Sequence, residues 1–201
     1  MTLIVVVLIV IALVAMLWYF AAYNDFVRLR NLVAESWRQV DVELQRRHEL
    51  VPNLVATVER AAEFERGTLE AVVSARDSAR ALAADPVETH GEITGVATAE
   101  NALTSALSHL SALAEQYPDL GSVKNYAALQ RELSDVEDRI AAARRLYNAN
   151  VRALNTKIES IPASMVARRH HVSPAQYFDI STPEARAGVR VDRLFRNQQD
   201  R

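Results

Sequence analysis

The residues of this chain with chemistry available to them are five histidines, a scatter of carboxylates and two short arginine clusters. A di-metal centre in a helical bundle needs Glu-x-x-His on two helices and a facing glutamate on each of two more. Gln45, Val87, Ala106, Ala167 and Arg168 stand three residues before the five histidines, so the pattern is missing. Glu63 and Glu65 are too close in sequence to share a helix face, which rules them out as an acid/base pair. There is no glycine-rich phosphate loop, no G-x-S-x-G and no H-E-x-x-H. With no cysteine, thiolate metal sites, a cysteine nucleophile, disulfides and a lipidated cysteine anchor are all excluded. Three features remain. His48 follows Arg46-Arg47 and precedes Pro52 at an expected helix end. It reads as a pH-sensitive or anion-binding corner, or as a solvated terminus whose cations suit the helix dipole, and the second reading is favoured. Arg168-Arg169-His170-His171 is the densest basic cluster, either touching anionic lipid headgroups or lying in a solvated turn. Trp37 sits on an apolar stripe and reads as core. The sequence names no catalytic, cofactor-binding or metal-ligating residue, and no cofactor.

These residues are positioned by helices, and the first is unlike the others. From Leu3 to Ala22 there is no charged side chain. At helical rise that run covers about 30 Å, the hydrocarbon thickness of a bilayer. Trp18, Tyr19 and Tyr23 stand where interfacial aromatics belong. Only Met1 and Thr2 precede the run, without the basic residues of a cleavable signal, so an uncut single-pass transmembrane anchor is expected. Arg28, Arg30 and Arg38 follow it. The positive-inside rule then puts the N-terminus outside and the rest in the cytoplasm.

After the anchor the pattern is helical throughout. Phe26, Leu29, Val33, Trp37, Val40 and Leu44 form one stripe at steps of three and four. The stripe falters at Arg46-Arg47-His48-Glu49, and Pro52 suits a first helical turn, so a turn is expected near 47–51. A second helix is expected from Pro52 to Ala84. Asp85-Pro86-Val87-Glu88 carries a capping pattern that opens a third. Tyr117-Pro118-Asp119-Leu120-Gly121-Ser122 is the next turn. Tyr126, Leu129, Leu133, Val136, Ile140, Ala143, Tyr147, Val151, Leu154, Ile158 and Ile161 then make a coiled-coil-type seam up to Pro162. The expected fold is all-α: a transmembrane anchor at 1–22, an antiparallel up-down-up-down four-helix bundle over 23–162, and a partly ordered tail over 163–201.

Composition agrees. Half of the 201 residues are apolar and 24% are charged, with five Gly and six Pro, which suits long helices. A net charge of −2 leaves no nucleic-acid footprint. Only Lys124 and Lys157 are lysines among 23 basic residues.

Several phrases resemble one family when read together. They are Tyr23-Asn24, Trp37 with Val40, and Leu44-Gln45-Arg46-Arg47-His48-Glu49-Leu50-Val51-Pro52-Asn53-Leu54-Val55. Tyr117-Pro118-Asp119-Leu120, Leu129-Gln130-Arg131-Glu132-Leu133, Ala143-Arg144-Arg145-Leu146-Tyr147-Asn148, Asn155 and Ile161-Pro162 follow at matching spacings. The chain is similar to the LemA family of bacterial membrane proteins over about 3–180. The resemblance implies a single-pass protein of the bacterial inner membrane with a helical bundle and no assigned reaction. The tail departs from the family pattern at Met165 to His171. The expected function is that of a non-enzymatic interaction or scaffold module. It would touch the bilayer through residues 3–22, bind an unidentified membrane or membrane-proximal protein, or associate with itself through the exposed face of the helix that carries the Tyr126–Ile161 seam. The alternative is a metal- or ligand-binding enzyme that uses the bundle interior.

Overall fold

The computed structural model describes residues 1–61, 66–83, 90–117 and 124–179. The expected turns at Asp85–Glu88 and Pro118–Ser122, the carboxylates Glu63 and Glu65, and the tail beyond 179 lie outside the described residues. Among the described residues five helices are seen: α1 (Thr2–Ala61), α2 (Arg66–Ala83), α3 (His90–Ala114), α4 (Lys124–Glu159) and the short α5 (Ala163–Arg169). Among the described residues there is no strand.

The main correction is to α1. It does not turn near 47–51 but runs unbroken through Pro52 to Ala61. The apolar stripe explains why. Val40, Leu44, Val51, Leu54 and Val58 are all buried, at steps of three and four once position 47 is included. The seam therefore never ends; one of its places is held by Arg47. Ile161, the last residue of the expected seam, is exposed past the end of α4.

The chain divides into two compact units. The first holds residues 1–44 and 136–178. In it the side chains from Leu3 to Leu17 are exposed all round the helix, so this apolar run packs on none of the described residues. The run is long and apolar enough to cross a membrane. Beyond it α1 and α4 pack antiparallel: Asp25 pairs with Lys157, Asn150 bonds the Leu32 carbonyl, and Trp37 meets Tyr147 edge to face. Ala22, Phe26 and Leu29 pack with Leu154 and with Ala163, Val166 and Ala167 of α5. After α5 the chain extends back along α4, held by two asparagines one heptad apart. Asn155 donates to the Ala175 carbonyl at 2.8 Å and accepts from its amide at 2.9 Å. Asn148 does the same for Phe178, at 3.1 and 2.9 Å. Each amide side chain mimics a peptide, so an extended segment is satisfied without a sheet. Phe178 is fully buried with its ring 5.1 Å from that of Trp37.

The second unit holds the described residues of 45–135, together with Asp179. Four helical segments meet there. Val51, Leu54 and Val58 of α1 pack with Leu69, Val72 and Ala79 of α2, with Leu103, Leu107 and Leu110 of α3, and with Tyr126 of α4. Each such Leu or Val contributes about 1.5–3 kcal/mol by leaving water. Helices pack as a bundle here, but its members differ from those expected: 52–61 belong to α1 and not to a second helix over Pro52 to Ala84, so the last turns of α1 supply the first member, and 23–44 lie in the other unit.

Candidate functional site

The second unit buries ionic side chains as well as apolar ones. Arg47 and Glu100 are both fully buried, and His48 is 3% exposed. Arg47 and His48 come from α1, and Glu100 from α3. Arg47 Nη2 donates to Glu100 Oε2, and Arg47 Nη1 donates to Thr104 Oγ1 at 3.1 Å. Thr104 donates in turn to the Glu100 carbonyl at 2.9 Å. His48 Nε2 lies 2.8 Å from the other carboxylate oxygen, Glu100 Oε1. Both oxygens of one buried carboxylate are thus engaged by two neighbouring residues of another helix.

Arg76 completes the cluster from α2. Its Nε donates to the backbone carbonyl of His48 at 3.1 Å, and its Nη1 pairs with Asp77 at 2.7 Å. The choice of carbonyl matters. In an α-helix the amide of residue 52 would bond the carbonyl of residue 48. Pro52 has no amide to give, so the His48 carbonyl loses its helical partner. Arg76 supplies the missing donor from another helix. Pro52 is therefore a residue of the helix interior, not the helix start expected from the sequence.

Burial holds His48 well below the usual imidazole range, at about 4, and the neighbouring Arg47, Arg76 and Arg80 act the same way. The ring is neutral at pH 7. Its Nε2 then carries the proton and donates to Glu100, whose charge is left to Arg47. The expected solvated corner at His48 is therefore a dry, three-helix junction.

The other sequence-derived candidates separate. Trp37 packs with Tyr147 and Phe178 in the first unit, as core. Arg168-Arg169-His170-His171 ends α5 in that unit, with His170 Nε2 2.7 Å from Tyr19 Oη. Among the described residues, no group of three or more His, Asp or Glu converges in a way that could hold a metal ion. Sequence reading missed Glu100 and Arg76. A signal for Glu100 was present: the α3 stripe steps from Val96 to Leu103, and the seven-residue gap has its core position at 100. Arg47 fills the equivalent place between Leu44 and Val51. An arginine and a glutamate at core positions of two helices call for each other.

Fold and site together define an all-α protein with an apolar N-terminal helix and an ion-paired bundle core. The sequence profile of the LemA family matches residues 36–192, and the chain belongs to that family. Relatives include the magnetosome protein MamQ 2 of Paramagnetospirillum magneticum, 28% identical over 78% of this chain and 64% of that one. MamQ of Magnetospirillum gryphiswaldense matches to the same extent, so the aligned chain spans under two thirds of these relatives' length. Protein LemA of Metamycoplasma hominis is 25% identical over 84% of this chain and 77% of its own.

Two outcomes follow for the detergent-solubilised full chain. Arg47→Met and Glu100→Gln each strand a buried charge and should cost about 3–5 kcal/mol in denaturant unfolding. The double variant should lose much less than the sum; additive losses would show that the pair is not coupled. The second outcome concerns acid. The unfolded chain takes up the His48 proton near 6.5 and the folded chain near 4. The contribution of neutral His48 is complete above about 6.5 and is lost as pH falls toward 4, by up to about 3 kcal/mol. His48→Gln should flatten the stability profile in that window, and an unchanged slope would assign the acid sensitivity elsewhere.

Proposed function

We propose that this LemA-family chain is a membrane-anchored helical module that acts by presenting a rigid surface beside the bilayer, without catalysis. The observation that carries the reading is the apolar run of α1. From Leu3 to Leu17 its side chains pack on none of the described residues, and water is a poor solvent for so long an exposed apolar run. The bundle core supports the same reading. Both oxygens of Glu100 and the carbonyl of His48 are committed to partners inside the fold, an arrangement suited to fixing helix register. Arg28, Arg30 and Arg38 follow the run on the bundle side, and we place that side in the cytoplasm of a bacterial cell. The partner is a membrane or membrane-proximal protein, or a second copy of the chain.

The test is fractionation followed by crosslinking. The full chain should stay in the membrane pellet through a carbonate wash, and the same chain without residues 1–22 should move to the supernatant. In-cell crosslinking of the full chain should give a reproducible adduct, either with a second copy or with one membrane protein, that the shortened chain does not give. Full-length protein in the supernatant, or identical adducts from both forms, contradicts the proposal.

A further inference from the structure

One side of the α1–α4 pair in the first unit is an open groove of about 550 Å³, walled by Val42 and Glu43 of α1 and by Arg139, Ala142 and Leu146 of α4. The three α4 residues recur at steps of three and four, so they share one helix face. Val42 is 60% exposed and Leu146 46%, so two large apolar side chains meet water in the groove. Ala142 is exposed as well, and its small side chain leaves room for another helix to approach.

The groove also carries charge that is not cancelled within it. Glu35 and Arg38 pair with each other at the end nearer the apolar run. Glu43 and Arg139 do not pair. Oε2 of Glu43 is buried without a hydrogen-bond partner, and Arg139 is exposed without an ion pair among the described residues. Yet the two stand at one level. Asp25 lies across from Lys157 and the Leu32 carbonyl from Asn150, and the same antiparallel register sets Glu43 across from residue 139.

We propose that this groove is the contact face for a second copy of the chain, packed about a two-fold axis along the bilayer normal. This rests on α1 being a membrane anchor, and it names the partner of that module. Two observations select a second copy. The first is height. α1 is unbroken from the apolar run through Glu43, so a copy inserted the same way carries its own groove at the same level, about 30 Å beyond Ala22. Two helical hairpins packed face to face about such an axis set α1 of each across from α4 of the other. The second is charge complementarity. At that level each α1 brings an unpaired carboxylate and each α4 an unpaired guanidinium. Glu43 of one copy therefore meets Arg139 of the other, and symmetry makes the pair twice. Val42 and Leu146 of both copies are covered in the same step, inside a four-helix cross-section. An unrelated helix would have to present a base and an acid at that one height; a second copy does so by symmetry.

The test is charge exchange between two differently tagged full-length copies, expressed together and recovered from the membrane fraction in mild detergent. Native copies should be recovered together. Glu43→Arg should lower joint recovery with its own kind by about tenfold or more, and so should Arg139→Glu, because each sets like charges opposite one another twice. Mixing the two variants puts opposite charges back at both places, and joint recovery should return to near the native level. A Glu43–Arg139 pair made within one copy offers no such rescue. Val42→Asp, at an exposed position, should also lower joint recovery about tenfold with helix content by circular dichroism unchanged. Native copies that are not recovered together, or that each bring down one other protein instead, overturn the inference while the anchor stands. A mixture no better than either variant alone, or a Val42→Asp chain recovered as well as the native one, does the same. Full chain in the supernatant overturns the anchor and this inference with it.

Discussion

A positive charge in the middle of an apolar seam is the constraint on which the second unit depends. Arg47 occupies a core position, and an isolated guanidinium there would cost several kcal/mol. Glu100 removes that cost only if α3 stands at one register against α1. His48 then closes the second carboxylate oxygen, and it can do so because burial keeps its ring neutral. A slip of either helix by one residue would leave an unpaired ion in a dry core. Apolar packing alone tolerates many registers; this cluster tolerates one.

The same cluster lets α1 pass through a proline. Interior proline costs a helix about 3 kcal/mol or more, part of it from the carbonyl left without a donor. Arg76 restores that donor from α2. Three helices are thereby joined at one place on α1, through the side chains of Arg47 and His48 and the backbone of residue 48. Arg46-Arg47-His48 and Pro52 are then one device in this chain: charges that select a register, and a proline that leaves the His48 carbonyl free to receive another helix.

The stripes from Phe26 to Leu44 and from Tyr126 to Leu154 were legible in sequence, because period and burial agree there. The break placed at 47–51 was misread for a local reason. Two arginines, a histidine and a proline within seven residues are helix-end signals when read alone. They were overridden by a partner 53 positions away, which no local rule contains. The cue lay in the paired gaps of two stripes, at 47 in α1 and at 100 in α3. The tail was harder still. Asn148 and Asn155 are ordinary polar residues on a helix until an extended segment lies across them, and nothing in the sequence of 172–179 announces that path. For the site, His48 and the basic cluster at 168–171 were visible as residues, while their surroundings were not.

Amide hydrogen exchange across residues 40–56 of the full chain in detergent tests the central claim most directly. A continuous α1 pinned by the buried cluster predicts that the amides of Arg47 to Val51 exchange as slowly as those of Val40 and Leu44, with no fast window before Pro52. Fast exchange confined to 47–51, with slow exchange on both sides, would restore the turn and contradict the account.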